Sequence, residues 1–326
     1  MLITRTPFRV SFFGGGTDYQ EYFSEYGGCV LSTTIDKYCY LSMRQLPPFF
    51  EYENQFTYSK IERFNNPSEV QHPLVRAALE YLPTERIQIA YDADLPACSG
   101  IGSSSAFAVG LLQSLHALRN EYPDRMKIAK EAIHLERILC NEAGGVQDQL
   151  AAAFGGLNRI NFTSEGYEIK PIALYKERKE AFQNNLMLMF TGFTHFSSEI
   201  AQAQQSNMPA ILSQLHEMKA MVNEAEKILI SGDLNDFGRL LDHTWQLKRT
   251  LSDRITNDEI DVMYQKARAH GALGGKLLGA GGGGFMLLYV PKEKQEDVKQ
   301  CFKDQKFVPF TFEDRGTCII YENNLI

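Results

Sequence analysis

From Leu2 to Phe13 and again from Cys29 to Met43, β-branched and aromatic residues recur in short alternating runs, a pattern that predicts two strands. The triple glycine Gly14-Gly15-Gly16 interrupts the pattern and predicts the turn after the first run. A helix is expected from about Val70 to Leu82, where Val75, Leu79 and Leu82 fall at helical spacing and Asn66-Pro67, His72 and Pro73 mark the entry. Arg86 to Tyr91 reads as a strand leading into a glycine-serine loop. Beyond that loop, Ala106 to Arg119 and Ile128 to Cys140 carry apolar residues at helical spacing. Gly144-Gly145 stops the second of these, and a further short helix is expected near Val146.

The stretch from Tyr167 to Asn185 is charged and irregular (KERKEAFQNN), so the domain boundary is placed there, with one domain over 1–180 and a second over 181–326. Leu186 to Thr191 opens the second domain as a strand. Two amphipathic helices follow, Pro209 to Leu229 and Leu234 to Lys248, then a shorter one from Ile260 to His270, the segment KLLGAGGGG and a strand from Phe285 to Val290. No internal repeat is visible.

With 326 residues, 44% of them hydrophobic, the chain has room for two domains and buries a core without metals or crosslinks. Thirty-three basic residues against forty acidic ones give a formal charge of −7, which opposes nonspecific attraction to nucleic acid or an anionic membrane. The six cysteines show no CxxC spacing and read as reduced, packed thiols. The N-terminus lacks a cleavable leader pattern and no apolar run reaches about 18 residues, so a cytoplasmic location is expected.

Four segments carry candidate chemistry. In LPACSGIGSSSAFAVGLL, Gly100 and Gly102 let the backbone approach a ligand, and Ser103, Ser104 and Ser105 open an apolar helix whose free N–H groups and positive end attract phosphate. Neither a Walker A lysine nor the third glycine of a dinucleotide fingerprint is present. The run Gly279 to Gly284 precedes a strand, which argues against a nicotinamide site, and its missing side chains suit backbone lying against a ligand or another backbone segment. In EAGGVQDQLAAAFGG, Asp148 is placed in a helix first turn, where a carboxylate stays ionised and accepts a proton from a hydroxyl. Glu136 falls at the edge of an apolar helical stripe, from which it can turn toward magnesium. In RTPFRVSFFGGGTDY, alternation puts Arg9 and Ser11 on one strand face and presents Thr17 and Asp18 on the glycine turn, where an aspartate can bind sugar hydroxyls.

In this order the four segments resemble the GHMP kinase family: RTPFRVSFFGGGTDY matches its N-terminal motif, PACSGIGSSSA its phosphate loop and KLLGAGGGGF its late glycine motif. The likeness spans nearly the whole chain, and the last two motifs are specific in combination. Within the family, GGGTDY, LSTTIDKYCY, LPPFFE and TGFTHFSSEI resemble the kinases of D-glycero-D-manno-heptose 7-phosphate. Galactokinases instead carry Glu-His before Thr-Asp-Tyr, which speaks against galactose.

The resemblance implies an α+β, two-domain fold, with a ribosomal-protein-S5-like N-terminal domain and a ferredoxin-like C-terminal domain. It implies ATP and Mg2+ as cofactors. Gly100, Ile101, Gly102, Ser103, Ser104 and Ser105 would bind nucleotide, Ser104 and Glu136 would hold the metal, and Asp148 would be the base with Arg9 near the reacting hydroxyl. Gly16, Thr17, Asp18, Gly281, Gly282 and Gly283 would meet the substrate.

The implied reaction moves the ATP γ-phosphoryl group to the anomeric hydroxyl of the heptose phosphate. A fucose- or galactose-like substrate, a silent sugar and ATP sensor, and an oxidoreductase reading of the late glycines are the rivals. The expected partner is a small sugar phosphate rather than nucleic acid or membrane, with a homodimer left open. For the substrate's own phosphate, Arg5, Lys37, Arg44 and Lys276 stand unranked.

Overall fold

In the computed structural model, which describes residues 1–193 and 197–323, the chain builds two sheets. The first half runs β1 (Leu2–Phe13), α1 (Gln20–Tyr26), β2 (Gly28–Gln45), β3 (Asn54–Thr57), β4 (Ile61–Phe64), α2 (Pro73–Tyr81), β5 (Ile87–Ala93), α3 (Ser103–Leu118), α4 (Arg125–Ile133), α5 (Gln147–Phe154), β6 (Asn158–Thr163) and β7 (Gly166–Pro171). The rest runs α6 (Lys176–Asn184), β8 (Leu186–Phe190), α7 (Ser197–Ser206), α8 (Leu212–Ser231), α9 (Leu234–Arg249), α10 (Asp258–Ala269), β9 (Gly274–Leu277), β10 (Phe285–Tyr289), α11 (Gln295–Cys301), β11 (Lys306–Val308), β12 (Phe312–Glu313) and β13 (Cys318–Glu322). Of the segment TGFTHFSSEI, Thr194, His195 and Phe196 lie outside the described residues.

The first sheet has the order β13-β1-β2-β5-β3-β4, with β6 and β12 also on β2 and β7 on β6. Strand β2 serves several partners because it changes them along its length, Gly28 to Ser32 pairing with β6 and Cys39 to Gln45 with β5. The register against β1 shifts between Pro7 and Phe8, near this change of partner. The second sheet, β11-β8-β10-β9, starts at Leu186, and β12 and β13 then return to the first. The segment 181–326 therefore contributes strands to both sheets.

Tyr167 to Asn185 is not irregular, as its composition suggested: it holds most of β7 and all of α6. Charge misleads there because α6 lies on the surface and buries only Phe182, which packs on Phe12 and Phe237. One anchor leaves no readable period. The helix α1 is too short to show a period, yet it buries Tyr22 and Phe23.

Helix α3 is apolar all round and is correspondingly enclosed, packing on β1, β2, α4 and α5. Gly110 makes the close approach to β1 feasible, since a Cβ there would lie 2.7 Å from Thr6 Oγ1. The two layers are locked through α9, whose Phe237 meets Phe12 and Phe13 edge-on at 5.4 and 5.0 Å while the same helix packs on β9. That junction fixes the N-terminus of α3 opposite the glycine-rich connection between β9 and β10. Among the described residues no helix is long and apolar enough to cross a membrane.

Candidate active site

A cavity of about 590 Å³ opens between the start of α3 and the β9–β10 connection, a size suited to a small-molecule site. The loop into α3 bends through Gly100 and Gly102, at φ +80° and +74°, conformations that glycine adopts without strain. The helix then starts at Ser103, leaving its first N–H groups without helical partners at the cavity wall.

The late glycine run is packed against this loop. Phe285 N donates to Ser99 O at 3.0 Å, and a Cβ on Gly279 would lie 2.6 Å from Gly100 Cα. Backbone thus lies on backbone, one of the two uses that side-chain-free positions suggested. Gly281 and Gly283 line the cavity, but Gly282 does not, because its N–H is turned away to Ile255 O at 2.9 Å.

Across from the loop, β1 and the first turn of α5 meet side chain to side chain. Arg9 Nε and Nη2 donate to Asp148 Oδ1 and Oδ2 at 2.8 and 2.7 Å, a two-pronged pair that fixes the carboxylate plane. Arg9 Nη1 also donates to Gly100 O at 2.6 Å. A Cβ on Gly102 would stand 3.3 Å from Asp148 Oδ2, so the carboxylate sits directly under the loop.

Two residues along the same strand face, Ser11 Oγ donates to Gln147 Oε1 at 2.7 Å, and Gln147 Nε2 donates to Asp18 Oδ2 at 3.0 Å. Gly16 N donates to Asp18 Oδ1 at 3.0 Å. Burial pushes the Asp18 carboxyl above its usual range and the nearby Asp148 adds to this, while the hydrogen bonds from Gly16 and Gln147 oppose it.

Two expected positions send no side chain to the cavity. Thr17 is fully buried, and its hydroxyl is consumed by Gly14 O and Cys29 O at 2.8 and 2.9 Å, so it holds the turn rather than a substrate. Ile101 sends its side chain into the core and gives its carbonyl to Arg9 N, which leaves it no side-chain role at the cavity.

Glu136 points inward and is almost fully buried. Ser104 Oγ donates to its Oε1 at 2.9 Å, Ser105 Oγ to its Oε2 at 2.7 Å, and Gln149 Nε2 also donates to Oε2. Its helix widens into a π turn over His134–Leu139, which alters the angle at which this residue faces the interior. A hydroxyl and a carboxylate are hard oxygen donors of the kind Mg2+ takes. No group of three or more His, Cys, Asp or Glu is arranged for a metal among the described residues.

Two lysines complete the polar end. Lys276 donates to Phe12 O at 2.9 Å, and burial, reinforced by Arg9, pushes its ammonium down to about 7 against the opposing pull of Asp18. Lys248 donates to Leu277 O and Gly279 O at 3.0 and 2.6 Å, and burial with Lys276 and Arg9 drives it well below the usual lysine range. Of the four cations considered for a second phosphate, only Lys276 lines the cavity. Arg5 pairs with Glu313, Lys37 with Asp36, and Arg44 bonds Gln88. Lys248 was missed, although Leu241, Trp245 and Lys248 follow helical spacing on the buried face of α9.

Comparison with known proteins bears on this arrangement. A profile of the GHMP kinases N terminal domain matches residues 72–156, and one of the GHMP kinases C terminal domain matches residues 221–307. The chain is 29% identical to the D-glycero-alpha-D-manno-heptose 7-phosphate kinase of Campylobacter jejuni, over 96% of this chain and 97% of that one. It is 25% identical to a galactokinase of Pyrococcus furiosus, over 96% of this chain and 95% of that one. Its fold matches the crystal structure of a D-glycero-D-manno-heptose 1-phosphate kinase from Bacteriodes thetaiotaomicron with a TM-score of 0.82 at 23% identity, covering 99% of this chain and 100% of that one.

Proposed function

We propose that this chain, which belongs to the GHMP kinase family and is a sugar kinase of that family's two-domain fold, phosphorylates the anomeric hydroxyl of a heptose 7-phosphate with ATP. The observation that carries the reading is that phosphate loop and carboxylate face one cavity side by side: a Cβ built on Gly102 would stand 3.3 Å from Asp148 Oδ2. The choice of acceptor rests on the Campylobacter jejuni relative. A polar end holding Arg9, Lys248 and Lys276 is also consistent with an acceptor that carries its own negative charge.

In this reading Asp18 and Gln147 hold ring hydroxyls, and Asp148 takes the proton of the anomeric hydroxyl as its oxygen attacks the γ-phosphorus. The bond between that phosphorus and the oxygen bridging to the β-phosphate breaks, and ADP leaves with the electron pair. Arg9 orients Asp148 and neutralises charge on the group in transit, while the α3 N–H groups and serine hydroxyls steady the phosphates. Ser104 and Glu136 would hold Mg2+, which supplies charge neutralisation on the phosphates when bound.

The test is ADP release measured across heptose 7-phosphate, free heptose, galactose, fucose and mevalonate. Turnover confined to the heptose phosphate is expected. Turnover on galactose or fucose with none on the heptose phosphate would assign the chain to another sugar, and nucleotide binding without turnover on any acceptor would favour a sensor.

A further inference from the structure

The cavity wall holds a cation that the transfer step does not use. Arg137 follows Glu136 on the π turn and lines the cavity together with Ala143, Gly144 and Gly145 of the loop that leads into α5. Its Nε donates to Gly145 O at 3.1 Å, and its Nη1 donates to Glu142 O and Ala143 O at 3.1 and 3.4 Å. A Cβ on Gly144 would stand 3.1 Å from Nη2 and 3.2 Å from both Cζ and Nη1, so the guanidinium turns its face to that residue. Ala143, Gly144 and Gly145 carry nothing larger than a methyl group, which leaves the guanidinium bordering open cavity.

These carbonyls occupy Nε and Nη1 only. Among the described residues Nη2 makes no hydrogen bond and Arg137 forms no ion pair. Its charge is nevertheless felt along the wall: burial pushes the Tyr19 phenol and the Glu142 carboxyl up, and Arg137 opposes the rise in both. A guanidinium with an unspent nitrogen at a cavity suits a phosphate oxygen, to which it donates a charge-assisted hydrogen bond.

Position separates this anion from the group in transit. Gly145, whose carbonyl Arg137 holds, also packs against the Asp18 carboxylate, so cation and carboxylate flank one residue. Arg9 instead bonds Gly100 O, and Lys248 bonds Gly279 O where Gly279 packs on Gly100, which places both beside the phosphate loop. Lys276, anchored on Phe12 O, feels both Arg9 and Asp18 and serves neither end alone. Next to Asp18, Gly15 lines the cavity and a Cβ there would meet nothing within 4 Å, which leaves room for a sugar's side arm.

We infer that Arg137 anchors the phosphate the acceptor already carries, its Nη2 donating to a phosphate oxygen while Asp18 and Gln147 hold ring hydroxyls. This rests on the heptose phosphate reading above, and names the residue that separates the phosphorylated heptose from the free sugar.

The experiment compares wild type, R137Q and R137K with heptose 7-phosphate and free heptose as acceptors at saturating ATP. R137Q removes the charge but keeps a donor for the loop carbonyls, and R137K keeps the charge but loses the fork. In R137Q, KM for heptose 7-phosphate is expected to rise about 10–100-fold, as for the loss of one charge-assisted hydrogen bond, with a smaller change in kcat. The ratio of kcat/KM between phosphorylated and free heptose should fall by the same factor, with R137K between R137Q and wild type. Calorimetry should show heptose 7-phosphate bound more weakly by that factor and ADP affinity retained. A residue that only braced the loop would displace Asp18 and Asp148 and depress both acceptors together. The assignment is overturned if KM for heptose 7-phosphate holds in R137Q, if both acceptors fall equally, or if the wild type uses the two sugars alike. A wild type that turns over neither heptose would overturn the function proposed above, and this assignment with it.

Discussion

Replacing Gly145 by alanine tests whether Asp18 holds the sugar. Asp18 and Gly145 are in such close contact that a Cβ built on the glycine would overlap Oδ2 and Cγ of the carboxylate and lie 2.8 Å from Oδ1. The carboxylate would have to retreat by about 1.5 Å to restore an ordinary van der Waals gap. It is not free to do so, because Gly16 N, Gln147 N and Gln147 Nε2 hold it at 3.0, 3.3 and 3.0 Å. Strain of this kind costs about 1–3 kcal/mol. For 326 residues, unfolding entropy near 2.1 cal/mol/K per residue gives about 0.7 kcal/mol/K, so Tm should fall by about 1.5–4 °C and the chain should stay folded. A displacement of about 1 Å at a positioning group costs on the order of 100-fold, so kcat/KM for the sugar should drop by about that factor. ADP affinity should hold, since the phosphate loop is untouched. Steady-state kinetics in the sugar, with calorimetry for ADP, gives the answer. Wild-type sugar kinetics in G145A would show that Asp18 does not position the substrate.

Further variants separate the other roles. D148N should lower kcat by about 10²–10⁴-fold with ADP affinity retained, measured by coupled assay and calorimetry, and a full rate would remove Asp148 as base. E136Q keeps the shape but loses the charge beside Ser104, so the Mg2+ concentration for half-maximal rate should rise on the order of tenfold or more; an unchanged titration would place the metal elsewhere. Lys276 has a folded pKa of about 7 against an ordinary 10.5, so between these values the unfolded chain binds more protons and stability rises with pH. Urea unfolding at pH 7 and 9 should show a steeper rise in the wild type than in K276M, and equal slopes would contradict the lowered pKa of the buried amine.

What the sequence disclosed was local. Arg9 and Ser11 share a strand face because β1 has a period of two, and they meet Asp148 and Gln147 in the first turn of α5. The serine run marked the start of α3 because glycine and serine leave few alternatives at a helix entry. Glu136 was legible only as a residue at the edge of a stripe, since the π turn that sets its facing leaves no trace in a 3.6-residue period. The aromatic part of the cavity wall was not legible, because Phe56, His72, Tyr91 and Phe107 come together only when β3 pairs with β5 beside α3. Thr17 looked like a substrate ligand because composition cannot tell a hydroxyl facing a cavity from one spent on its own turn.

The most direct measurement is phosphorus NMR of the product formed from ATP and heptose 7-phosphate. The account predicts a second sugar phosphorus coupled to the anomeric proton, appearing with ADP and forming at least about 100-fold more slowly with D148N. A new phosphate on any other carbon, or ATP consumed with the sugar unchanged, would contradict it.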